Sequence, residues 1–366
     1  MIPVGTNWSA IRSEFPALQH WTWLNTATYG QLPVRTRAAV DRHFARREET
    51  ACTDFLDWFD DVDQIRALIG ELINCTADDI GFAMNAASAL SLFLGGVDWR
   101  EGDRIVTLRD EFPNQYYFAA SLAARGVTLI EQDEITSLPE RTRAVLLSTV
   151  NYSTGYRPDV IRISEMARAA DALIYLDGTQ SVGALRFDVA AVRPDMLAVD
   201  GYKWLLCPNG APFFYISPEL RRKLRPSVIG WRSDKGWRSV DSLHHGAPEF
   251  PGNAAGYEGG MLNFPSIYGA AESVRMMLEI GPDAIERRVL ELAGLAEEML
   301  GRTGARILNP GSNIVAAHWP DRDASALAKR LQERRIIVAA RHGSLRVSPH
   351  FYNNEADLEM LREALA

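Results

Sequence analysis

Asp177 closes the apolar run Leu173–Leu176, and Lys203 stands just beyond a second apolar run, Met196–Val199. If both runs are neighbouring strands of a parallel sheet, a carboxylate and an amine meet at one edge. That pair suits one chemistry in particular. A lysine amine can form a Schiff base with an aldehyde. An aspartate can pair with a protonated pyridine nitrogen and keep the ring an electron sink for a carbanion. Both demands are those of pyridoxal 5'-phosphate. Taken alone, the two residues can also be a strand-end Asp and an ordinary exposed Lys, so the rest of the chain must decide.

The elements needed to bring them together are legible. Ile105–Leu108, Val127–Ile130, Val145–Leu147, Leu173–Leu176, Met196–Val199 and Phe213–Ile216 read as short buried strands, with helical patterns at Gln115–Arg125 and Val160–Ala170 between them. This alternation predicts an α/β fold with a mainly parallel central sheet and helices on both faces. In such sheets ligands bind at the carboxyl ends of the strands. Phe59, Val62, Ile65, Leu68, Ile69 and Leu72 recur at helical spacing. Ser233–Phe264 is rich in Gly, Pro, Asn and His and reads as a long functional loop. Helices at Tyr268–Ile280 and Asp283–Arg302 follow, then strand Ile314–His318, helix Ala324–Arg334, strands Ile336–Ala339 and Leu345–Val347, and a last helix from about Glu355. The expected organisation is an N-terminal segment (1–35), a large cofactor-binding domain (36–265) and a smaller C-terminal α/β domain (266–366).

Further candidates sit at the ends of these elements. Asn85 can cap a helix running to Gly95-Gly96, and a helix N-terminus is a seat for phosphate. Arg346 lies on a short strand, where its planar fork suits bidentate binding of a carboxylate; a salt-bridging surface arginine is the competing reading.

Together these segments resemble the aminotransferase class V family of fold-type I pyridoxal-phosphate enzymes, from about Leu24 to about Leu358. Asp177-Gly-Thr-Gln180 matches the family's Asp-x-x-(His/Gln) element, and Tyr202-Lys203 its aromatic–lysine pair. The nearest branches in motif are kynureninases and isopenicillin N epimerase-like proteins. The resemblance implies that Lys203 carries the cofactor and shuttles protons. It puts Asp177 on the pyridine nitrogen, Gln180 on the phenolic oxygen and Tyr202 on the phosphate. The family often has Thr where this chain has Ala87, so the phosphate contact falls to the backbone of Ala86, Ala87 and Ser88 and to the Ser88 hydroxyl. Phe112 takes the place of the ring that stacks on the cofactor, with a core phenylalanine as the alternative. Ile229-Gly-Trp231-Arg232 makes Trp231 a further phosphate candidate, against a surface or core Trp. Arg346 becomes the anchor of the substrate α-carboxylate. Asn25 and Thr26 in the Trp23–Pro33 motif, and Asn151 and Tyr152 in Val150–Gly155, become substrate-pocket candidates.

The chain also departs from its kin. Thr149 and Gln115 stand where kynureninases carry His and Asp, and Gly259-Gly260 where many members carry Gly-Thr, whose Thr reaches the partner's phosphate in a dimer. A cysteine desulfurase needs a nucleophilic Cys on the loop before the carboxylate arginine. None of Cys52, Cys75 and Cys207 lies between His318 and Arg346, so a persulfide route is not expected.

Composition removes other classes. Net charge is −8, which offers no basic field for nucleic acid or anionic lipid. No apolar run reaches the roughly 18–20 residues of a membrane span, and the N-terminus does not read as a signal peptide. Three scattered cysteines predict neither disulfides nor a zinc site, and His244-His245 has no ligand-spaced companions. The expectation is a cytoplasmic homodimer without metal, acting on a small-molecule amino-acid substrate. First among its reactions is transfer or lyase chemistry on an L-amino acid; the alternatives are racemisation or epimerisation, and a catalytically silent relative kept for binding.

Overall fold

The computed structural model describes residues 6–365; Met1–Gly5, part of the expected N-terminal segment, lie outside the described residues. Seven strands form the main sheet: β1 (Ile80–Phe82), β2 (Arg104–Leu108), β3 (Thr128–Gln132), β4 (Thr142–Ser148), β5 (Leu173–Asp177), β6 (Met196–Val199) and β7 (Phe213–Ile216). Their spatial order is β1-β7-β6-β5-β4-β2-β3. Every pair is parallel except β1 with β7 and β7 with β6. This is the expected mainly parallel sheet.

Its strands are apolar in nearly every position because both faces are covered. Alternate residues face opposite ways. Val106, Leu147, Leu176 and Leu197 join one core with Phe59 and Ile69, whereas Ile105, Leu146, Tyr175 and Met196 join another with Leu90 and Phe93. Edge strand β3 is more open, as an edge allows.

Nine helices of eight residues or more are described: α1 (Val34–Thr50), α2 (Asp57–Ile73), α3 (Ala86–Gly96), α4 (Pro113–Ser121), α5 (Val160–Ala169), α6 (Phe264–Ile280), α7 (Pro282–Arg302), α8 (Ala324–Glu333) and α9 (Glu355–Leu365). Helix α1 has no strong apolar stripe; it buries only Thr36, Ala39 and His43, which is why periodicity did not announce it. The expected helix Gln115–Arg125 is α4 followed by a 3₁₀ turn, Leu122–Arg125, which ends at Gly126 in the left-handed region (φ 75°).

A second sheet holds β8 (Arg306–Leu308), β9 (Val315–His318), β10 (Ala339–Arg341) and β11 (Ser344–Val347), antiparallel throughout. The run expected as one strand, Ile336–Ala339, divides. Ile336–Ile337 pairs with Thr22–Trp23, and Ala339 opens β10. The core behind this sheet begins at Leu292 and takes in Leu24, while Phe264 through Val289 pack into the main core. The change of core therefore falls inside α7.

The Ser233–Phe264 segment has no long element, but it is firmly anchored. Glu258, fully buried, pairs with Arg66 and Arg232 and accepts the Phe82 N–H at 2.8 Å. Among the described residues no helix is long and apolar enough to cross a membrane.

Candidate active site

The chain segments leaving β2, β4, β5 and β6 all depart from one sheet edge, the one where parallel sheets bind ligands. Ser148 pairs with Asp177 across β4 and β5, and Asp177 with Ala198 across β5 and β6. Asp177 is buried, and its Oδ1 accepts the Thr179 N–H at 2.9 Å. Lys203 lies in the turn after β6. A Cβ on Gly30 would stand 2.0 Å from the Lys203 carbonyl oxygen, and one on Gly183 2.4 Å from that of Trp204. Only glycine allows these neighbours to press on the lysine turn.

His350 holds the same turn from beneath. Its Nδ1 accepts the Phe351 N–H at 2.7 Å, so the ring proton is on Nε2, which donates to the Trp204 carbonyl at 2.8 Å. Burial pushes this imidazole down to about 3, which keeps it neutral.

The Lys203 amine sits 5.8 Å from the Phe112 ring centre and 5.6 Å from that of Tyr202. Among the described residues no carboxylate lies within 4.0 Å of it. Burial brings its pKa down to about 8, against the opposing pull of Asp177 and with a further push from Arg346. Gln180 is tightly held: its Oε1 accepts the Trp204 indole N–H at 2.9 Å and its Nε2 donates to the Ala27 carbonyl at 3.0 Å. One Nε2 hydrogen remains for another partner.

A second cationic pocket adjoins this cluster. Arg346 is buried on β11; it donates to the Tyr152 carbonyl (2.5 Å), to Asn25 Oδ1 (3.2 Å) and to Thr28 Oγ1 (2.5 Å), and its Nε has no partner. Tyr152 packs edge-on to Phe112 at 5.3 Å, and its hydroxyl meets His342 Nε2 at 2.7 Å. A chain of contacts thus runs from Lys203 through Phe112 and Tyr152 to Arg346 and Asn25.

Other candidates are placed differently. Asn151 spends its amide on the turn: Oδ1 accepts from Ser153 and Thr154, and Nδ2 donates to the Asp110 carbonyl. Thr26 is buried against the Tyr352 hydroxyl at 2.7 Å. The Trp231 ring packs on Phe59 and Trp237, and none of its ring contacts is with the Lys203 cluster.

The residues suit a pyridine aldehyde better than they suit a phosphate. A half-buried lysine whose amine has no ion-pair partner, an aspartate on the same sheet edge and a half-exposed Phe112 match the ring. At the N-terminus of α3, however, two of three expected amides are already engaged. Ala86 N donates to Asp200 Oδ1 at 3.1 Å, and Ser88 N and Oγ both bond Asn85 Oδ1, at 2.8 and 2.9 Å. Ala87 N has no protein acceptor among the described bonds. Asp200 was not anticipated from the sequence, and neither was Glu111. Glu111 is buried, holds Ser148 N at 2.7 Å and Ser148 Oγ at 2.6 Å, and is raised to about 7 by burial. Both lie within three residues of a recognised motif member, which is the only signal that could have found them.

The profile of the class-V aminotransferases matches residues 53–362. Among similar curated proteins are a probable cysteine desulfurase of Methanothermobacter thermautotrophicus, 25% identical over 97% of this chain and 96% of that one, and the isopenicillin N epimerase of Streptomyces clavuligerus, 27% identical over 93% of each. The first of these bears the activity that the cysteine positions had set aside. A solved C-DES mutant with glycine covalently linked to its PLP cofactor superposes with a TM-score of 0.88 at 22% identity, covering 97% of this chain and 98% of that chain. That likeness is one of fold. With its profile matched over most of the length and its fold shared, the chain belongs to the class-V aminotransferase family and is a pyridoxal-phosphate-dependent enzyme.

Proposed function

We propose that the enzyme acts at the α-carbon of an L-amino acid, with Lys203 moving the α-proton and Arg346 holding the α-carboxylate. The observation that carries this reading is a juxtaposition: the Lys203 amine faces the Phe112 ring, Phe112 packs on Tyr152, and the Tyr152 carbonyl accepts from a buried Arg346 that has no carboxylate partner among the described residues. When bound, the cofactor supplies an electron sink for the bond broken at the α-carbon. Lys203, neutral through a good fraction of its population at physiological pH, can take the proton and, once charged, return it. Asp177 would hold the ring nitrogen, Gln180 the phenolic oxygen through its remaining Nε2 hydrogen, and Phe112 one face of the ring. Ala87, with Ala86, Ser88, Tyr202 and Trp231 as the other candidates, would meet the phosphate.

Transfer or lyase chemistry is the first reading. A persulfide route of the desulfurase kind lacks its thiol: Cys207, nearest to Lys203 in sequence, is buried against Gly201 and pushed up to about 12. Epimerisation is the second reading, favoured by the 27% identity to isopenicillin N epimerase. Either way, holoenzyme incubated in D₂O with an L-amino acid substrate should exchange the α-hydrogen for deuterium, read by NMR, and Lys203→Ala should not. Retained exchange in Lys203→Ala would sink the proton-carrier role.

The working form we propose is a cytoplasmic homodimer. The three cysteines are free, as suits a reducing compartment, and Met84, Ile229 and Met261 leave large apolar side chains exposed. Light scattering should give about twice the chain mass of 40.7 kDa. A fully active particle of single-chain mass would contradict it.

A further inference from the structure

The buried arginines of this protein are not alike. Arg66 and Arg232 share Glu258, and Arg288 pairs with Glu291 and Glu355. Arg346 is as buried as any of them, yet no carboxylate lies within ion-pair distance of it among the described residues. Beside it stands a second guanidinium, Arg341, half-buried, which donates to the Ala340 carbonyl at 2.7 Å and likewise has no carboxylate partner among the described residues. Arg341 NH2 reaches the Thr28 hydroxyl oxygen at 3.4 Å, the atom that Arg346 NH2 reaches at 2.5 Å. Two cations therefore converge on one neutral oxygen.

The hairpin makes this convergence obligatory. Arg341 pairs with Ser344 and Ala339 with Arg346 across β10 and β11. Directly opposed residues share a face, and so do positions two apart along a strand, so Arg341 and Arg346 lie diagonally on the same face. The turn between the strands is fixed by His342 and Gly343, both in the left-handed region at φ 46° and 75°. Next to the pair, the His342 ring meets the Tyr152 hydroxyl, which borders the path to Lys203.

One α-carboxylate neutralises one of these charges and leaves the other facing the same pocket. We propose that the substrate is an α-amino acid whose side chain carries a second anionic group, and that Arg341 binds that group while Arg346 binds the α-carboxylate. This rests on the reading of Arg346 given above. Because both guanidiniums reach the one Thr28 oxygen, the two anions they hold must stand as close together as the two ends of one short side chain. The chemistry fits carboxylate or sulfinate side chains, whose oxygens accept the guanidinium's paired donors.

The test is a titration of the holoenzyme's visible absorption with matched pairs, L-aspartate against L-asparagine and L-glutamate against L-glutamine, with L-cysteinesulfinate as a further acidic probe. At least one acidic member should perturb the band at a concentration about tenfold below its amide. Arg341→Gln should bring that ratio to about one, and Arg341→Lys should restore part of it, because charge survives while the fork is lost. Equal affinity for acids and amides in the wild type would overturn the proposal, as would a ratio untouched by Arg341→Gln. If no α-amino acid of any charge perturbs the band, the amino-acid reading itself fails and this inference falls with it. If neutral amino acids bind and acids hold no advantage, only the inference fails.

Discussion

At the scale of single residues, the chemistry depends on what burial does to Lys203. A fall from the usual lysine value of 10.5 to about 8 means that the fold disfavours the charged amine by roughly 3 kcal/mol. The sign follows from linkage. Below pH 8 the native protein must hold a charged lysine that the unfolded chain holds freely, so the cost is full there. It fades as pH rises toward 10.5, where both states are neutral. Cofactor-free Lys203→Met should therefore be more stable than the cofactor-free wild type at pH 7, by up to about 3 kcal/mol, in denaturant unfolding. The gap should close between pH 8 and 10.5. An unchanged stability at pH 7, or a gap indifferent to pH, would show that the amine is better solvated than the structure indicates. Lys203 and Asp177 were legible in the sequence because each stands at the end of an apolar run. The pKa was not, since it comes from burial, to which Phe112 contributes, and from Arg346, both of which reach the amine from other elements.

At the scale of elements, six strands of the main sheet were legible as apolar runs, whereas the three-residue β1, buried throughout but interrupted by Gly81, was not, and no local pattern gave the spatial order of the strands. Asn85 caps α3 as its sequence position implies. What stands at the other side of that helix end was not legible, because Asp200 arrives from β6. Burial, with Asp177 as a lesser cause, raises its carboxyl to about 6. Above that pH an ionised carboxylate shares the α3 N-terminus with any phosphate bound there, which the helix dipole favours and the carboxylate opposes. Asp200→Asn keeps an oxygen for the Ala86 N–H and removes the charge. In a Lys203→Ala background, where binding is non-covalent, it should tighten pyridoxal phosphate about tenfold at pH 8. The advantage should shrink below pH 6, where the wild-type carboxyl is itself protonated. Equal or weaker binding by Asp200→Asn at pH 8 would place the phosphate elsewhere. Similarly, the pattern at Ile336–Ala339 reads as one strand because periodicity cannot show that its halves pair with different partners.

At the scale of the whole molecule, the site exists because remote segments meet. The Trp23–Pro33 stretch brings Asn25, Thr28 and Gly30 against β11 and the lysine turn, and Asn25 bridges to Ser348. The Ser233–Phe264 segment, featureless by periodicity, is fixed through Glu258 onto α2 and β1. Such meetings leave no local pattern, which is why Thr28, Glu111 and Asp200 went unforeseen while the motif residues did not. The proposed chemistry nonetheless requires one covalent bond, between the cofactor's aldehyde and Lys203. Borohydride reduction of the purified holoenzyme, followed by proteolysis and mass spectrometry, measures it directly. The pyridoxyl group should map to the peptide containing Tyr202-Lys203-Trp204 and be absent from Lys203→Ala. A label on any other lysine, with Lys203 unmodified, would contradict the account.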